Sequence, residues 1–208
     1  MAGFLSNLRA VVWTSAAIAV VFFIAYAVLG HGYGPMTSAF WEAALRWGHV
    51  VSGIMWIGLL YYFNFVQIPN VPKIPEEARG PAISKVIAPA ALFWFRWGAM
   101  STFVFGLVLA FNQGYLVDAY TLGALQGFTA IKFTVIGIGM WLATIMWFNV
   151  WFVIWPNQQR ALNIDNKFPD LAPEAKAAAG KRAMMFSRIN TLLSLPMLVA
   201  MTGVQTLQ

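Results

Sequence analysis

The chain has 208 residues, 60% hydrophobic and 10% charged, with a net charge of +6. Water-soluble domains carry about 25% charged residues, so this chain lacks the polar surface that a globule in water needs. It has no cysteine, which excludes disulfides, thiolate metal sites, iron–sulfur clusters and covalent haem attachment.

Five apolar runs follow in chain order, at about 11–30, 39–67, 87–111, 122–155 and 184–205. Each reaches the roughly 20 residues that span a hydrocarbon core as a helix. The first is longer than the apolar region of a signal peptide and ends in LGHGYG, so it reads as a retained helix. The fold expected is an all-α integral membrane protein, a single domain of five transmembrane helices with helices two to five as a four-helix bundle. Runs two and four share a pattern compatible with a parallel internal repeat: Trp56, Phe63-Asn64 and Pro69-Asn70 against Trp141, Phe148-Asn149 and Pro156-Asn157. Between runs four and five, 156–183 reads as a loop. Its PEAKAAAGKRAMMF portion extends helix five, and Pro173 lies near the helix start.

The basic residues explain the net charge without nucleic acid. Arg9, Lys73, Arg79, Lys85, Arg160, Lys167, Lys176, Lys181 and Arg182 all precede run one or lie between runs two and three or four and five. The other connections, 31–38 and 112–121, carry no Lys or Arg. The positive-inside rule then puts the N-terminus in the cytoplasm and the C-terminus outside.

Four cations fall inside the runs: Arg46, Arg96, Lys132 and Arg188. At 1.5 Å per residue, His49 and Lys132 are expected roughly 15 Å below the outer face, with Arg96 rising to a similar depth. Glu42 is the one acid inside the runs, so these cations need an anion or a wet cavity at depth. A haem b meets that need, with an imidazole on its iron and Arg or Lys on its propionates. His49 carries Arg46 at i−3 and Gly53 at i+4 on one helical face, and Gly53 would admit a flat macrocycle. His49 is therefore the candidate metal ligand, and Arg46, Gly53, Arg96 and Lys132 are candidate haem-binding residues. Lys132, Met55, Met100 or Met140 could supply a sixth ligand. A substrate or proton site, and a structural histidine bonded to a neighbouring hydroxyl or carbonyl, remain open alternatives. Asn64, Asn149 and Asn190 read as interhelical hydrogen-bonding residues. No phosphate loop, Ser-His-Asp set or intramembrane carboxylate pair supports a hydrolase.

The strings RWGHVVSGIMWIGLLYYFNFVQIP, FWFRWGAM, WFNVWFVIWPNQQRAL and SRINTLLSLPML resemble the transmembrane domain of the bacterial membrane-bound urate oxidase (urate hydroxylase) family, over about Trp41 to Met197. GHVVSGIMWIG and IKFTVIGIG are more distantly similar to the oxygen-independent membrane protoporphyrinogen oxidases. That likeness implies a haem-associated histidine and an important lysine, which fall by position on His49 and Lys132. The urate oxidase resemblance implies oxidoreductase chemistry with electrons passed to a cytochrome c domain. The 208 residues contain no counterpart of that domain, so a separate electron acceptor is expected. The alternative is a non-catalytic accessory subunit of a larger respiratory or oxygenase membrane complex.

Overall fold

The structure is a computed structural model describing residues 2–206. It is all helix, with no strand among the described residues. Five helices are long and apolar enough to cross a membrane: α1 (Leu8–Gly30), α2 (Ser38–Lys73), α3 (Glu76–Asn112), α4 (Ile131–Leu162) and α5 (Pro173–Thr206). Asn7 caps α1, its side chain accepting from the Ala10 N–H at 3.2 Å.

Most ends extend past the apolar runs because polar and proline-bearing flanks continue the helices. Helix α5 begins at Pro173, as its first-turn proline and the alanine-rich stretch behind it predict. The exception is α4, expected from 122 but starting at Ile131. The intervening residues are apolar, yet they turn: Leu122, Gly123, Gly127 and Phe128 all take left-handed φ. Two glycines make such a turn accessible, and the Thr134 hydroxyl donates to the Leu122 carbonyl at 2.7 Å, tying the turn to α4.

Prolines shape the helices too. The π-helical stretches Tyr62–Gln67 in α2 and Asn149–Ile154 in α4 run up to Pro69 and Pro156. A proline offers no N–H to the carbonyl four residues earlier, so the ladder widens there. The repeated sequence pattern thus becomes a repeated local geometry, with Asn64 and Asn149 inside the two widened turns.

The chain divides into two compact units whose boundary falls between Ala44 and Leu45, within α2. In the first unit, Phe23 packs on Phe40 and His31 lies between the rings of Tyr26 and Tyr33. In the second, α2 to α5 form a four-helix bundle. One core joins Trp56 and Leu60 of α2, Phe95 and Ala99 of α3, Met146 and Val150 of α4, and Ala183 and Met197 of α5. Outside, large apolar side chains such as Ile54, Leu192 and Val199 are about 70% exposed. A lipid surround makes that exterior favourable, and it leaves close packing and polar contacts to hold the helices together.

Candidate functional site

The level of each side chain follows from where the helices touch. Helices α2 and α3 are antiparallel neighbours. A Cβ on Gly98 would lie 3.3 Å from the Trp56 backbone nitrogen, and one on Gly106 would lie 2.9 Å from His49 Cε1. Phe63 meets Phe95 at 5.5 Å between ring centroids. His49 is therefore level with Thr102 and Gly106. Its Nδ1 is 2.8 Å from the Thr102 carbonyl oxygen. A carbonyl can only accept, so Nδ1 carries the proton and the Nε2 lone pair is left for another partner.

The other expected members of the site stand elsewhere. Arg96 lies six positions before Thr102 on α3, so it sits about 9 Å further toward the end where the basic loops cluster. Lys132 is exposed in the first turn of α4, its Nζ 5.1 Å from the Phe133 ring. Ile136, one turn further in, clusters with Ala110, so Lys132 lies on the opposite side of the His49 level. The shared depth expected of His49, Arg96 and Lys132 is thus corrected. It rested on an early start for α4 and on counting α3 from the wrong end of a longer helix. Gly53 is also reassigned: it faces α3, where a Cβ would lie 3.8 Å from Thr102 Cγ2. On the face expected to receive a flat macrocycle it meets the Thr102 side chain of the neighbouring helix. Arg46 stays with His49, one turn away and half-buried.

Tyr115 was missing from the sequence reading and lies near Arg46. Burial pushes its phenol above the usual tyrosine range, while the Arg46 charge pulls it partly back. The signal that could have marked this region was Thr102 and Gly106 in i, i+4 spacing, a small-residue seam for a close helix crossing.

A second polar group runs along α5. Asn149 Nδ2 donates to Asn190 Oδ1 at 2.8 Å, and Asn190 Nδ2 donates to the Met146 carbonyl at 2.9 Å. Asn64 Nδ2 donates to Ser187 Oγ at 2.8 Å, and the Tyr61 and Ser194 hydroxyls bond at 2.9 Å. Ser187, Asn190 and Ser194 are buried and Arg188 is exposed, which explains the spacing in SRINTLLS. Toward the basic end the four helices enclose a cavity of about 170 Å³, with Gln67, Ser84, Gln158 and Ser187 among its lining. The buried side-chain oxygens of Gln67 and Asn64 lack hydrogen-bond partners. A volume of that size takes a few waters, and is below the roughly 300 Å³ of small-molecule sites.

The residues fit a haem in one respect and not in others. His49 has the tautomer of an iron ligand, with its second nitrogen held by a backbone carbonyl. Gly53 stays beside it across Thr102, but Arg96 and Lys132 do not converge on it.

Fold and polar interior together define a helical protein of membrane-spanning type, with its polar side chains paired between helices. Residues 114–205 match the family described as urate oxidase, N-terminal. The matched segment takes in α4 and most of α5, and over it the chain is similar to that family. His49, Arg46, Gly53 and Arg96 lie outside the match. No curated protein and no solved structure matches the chain.

Proposed function

We propose that the chain is a membrane oxidoreductase domain of urate-oxidase-like type, binding haem b through His49 and passing electrons to a separate acceptor. The observation that carries this reading is the hydrogen bond from His49 Nδ1 to the Thr102 carbonyl. It fixes the ring's orientation and leaves Nε2 as the metal-facing donor. The similarity of residues 114–205 to urate oxidases supports the redox class. Haem, when bound, supplies a one-electron redox centre. Thr102 and Gly106 hold the imidazole, and Arg46, one turn from it, offers a guanidinium to a carboxylate. The clustered loop cations support an inner-membrane setting with the N-terminus cytoplasmic and the C-terminus periplasmic.

A visible spectrum of the purified chain tests the reading. A Soret band should be present in the wild type and in His31→Ala, and absent from His49→Ala. A band that survives in His49→Ala and vanishes in His31→Ala would sink the assignment.

A second reading, an accessory subunit of a larger membrane complex, is favoured by the close approach of α3 to His49 at Gly106, with Gly53 meeting Thr102. Stable co-purification with a large complex and no chromophore would select it.

A further inference from the structure

Arg96 has an unusual setting for an intramembrane cation. Its guanidinium carbon lies 3.7 Å from the centroid of Trp155, and Trp151 and Phe93 lie at 6.0 and 5.8 Å. Such stacking holds the planar group while leaving its in-plane donors free. The Nε is buried without a hydrogen-bond partner, as is the indole nitrogen of Trp151. No ion pair engages Arg96 among the described residues. Asp165 acts on it electrostatically, but that carboxylate is exposed and lies 3.8 Å from Lys167 Nζ. The immediate surroundings thus supply aromatic faces, with no partner for Nε and no carboxylate in ion-pair contact among the described residues.

Its level narrows the choice of ligand. Counting roughly 20 residues from either far end, Asn112 on α3 or Ile131 on α4, reaches the hydrocarbon boundary near residue 92 or 151. Arg96 is one turn inside that boundary, Trp151 lies at it, and Trp155 is one turn beyond it. Phe93, Trp94 and Trp97 around the site are 46%, 57% and 44% exposed, an aromatic collar of the kind found at headgroup depth. The basic residues of the helix ends there, Lys73, Arg79, Lys85 and Arg160, and Lys167 in the connection after α4, are at the same end.

We propose that Arg96, clamped on Trp155 and backed by Trp151, is a binding site for the phosphate of an anionic phospholipid headgroup in the leaflet beside the basic loops. The planar fork suits two phosphate oxygens, and the neighbouring loop charges favour an anionic lipid over a zwitterionic one. This site is independent of the haem reading, because it lies away from the level of His49.

The test titrates the full chain in mild detergent with phosphatidylglycerol or phosphatidylcholine and reads retained lipid by native mass spectrometry. The wild type should retain phosphatidylglycerol in preference. Arg96→Gln should hold it roughly tenfold more weakly, and Trp155→Leu should weaken it while the charge remains. Equal retention of the two lipids by the wild type, or undiminished phosphatidylglycerol retention in Arg96→Gln, overturns the proposal. If Arg96→Gln cannot be purified, undiminished retention in Trp155→Leu overturns the clamp. Displacement of the lipid by millimolar inorganic phosphate, with phosphate protecting the chain equally well, would identify free phosphate as the ligand and reject the lipid source. Haem content should be the same in Arg96→Gln as in the wild type. Loss of haem with lipid retention intact would assign Arg96 to a haem carboxylate instead.

Discussion

Gly106→Ala gives the sharpest test of how His49 is held. The new methyl would lie 2.9 Å from His49 Cε1 and 3.0 Å from Nδ1, closer than carbon atoms pack. The imidazole must move outward by about 0.5–1 Å to reach ordinary contact distance. Added to the present 2.8 Å from Nδ1 to the Thr102 oxygen, that motion brings the hydrogen bond to the edge of its range. Losing it costs about 1–3 kcal/mol for a group shielded from water. Replacing glycine with alanine inside a helix returns about 1 kcal/mol. The net change in stability is therefore small, between about zero and 2 kcal/mol of loss, and the tautomer is the better readout. With only two histidines, ring-nitrogen NMR of selectively labelled protein resolves both, and His31→Ala assigns them. Wild-type His49 should show protonated Nδ1, and Gly106→Ala should shift it toward a mixture. A wild-type ring protonated at Nε2, or a variant with an unchanged tautomer and a full alanine gain in stability, would refute the reasoning.

Three further outcomes follow from the packing. Gly137→Ala should lose about 2–3 kcal/mol on thermal or denaturant unfolding, because its Cβ would run into the Ala119 carbonyl and backbone cannot swing aside. Gly58→Ala, which meets nothing within 4 Å, should be neutral or gain up to about 1 kcal/mol. Asn190→Leu should cost about 1–2 kcal/mol by stranding Asn149 Nδ2, and a double-mutant cycle with Asn149→Leu should show strong coupling. The Tyr115 phenol, raised by burial, should ionise above the usual tyrosine range by ultraviolet difference absorption, and Arg46→Ala should raise it further. Its contribution to stability is present below the unfolded tyrosine value of about 10 and is lost as pH rises through the folded value, since the unfolded chain releases that proton first.

Much of the architecture could be read from residues alone. A span of apolar residues in a chain so poor in charge has to satisfy its backbone internally, so helices and their number follow from run length. The start of α5 at Pro173 and the interhelical role of Asn64, Asn149 and Asn190 were legible for similar local reasons, though not their partners. The levels of His49, Arg96 and Lys132 were not. Counting residues gives depth only from a known helix end, and the left-handed turn at Leu122–Phe128 is as apolar as the helix that follows it. Which side chains meet is set by where small residues let two antiparallel helices approach, Gly98 against Trp56 and Gly106 against His49. That register depends on both helices at once, so no pattern within either could place Thr102 beside His49 or Trp155 beneath Arg96. Sequence by itself determined the solvent, the helices and the polar residues they carry. Tertiary packing decided which of those residues share a level, because interhelical register is a property of the pair.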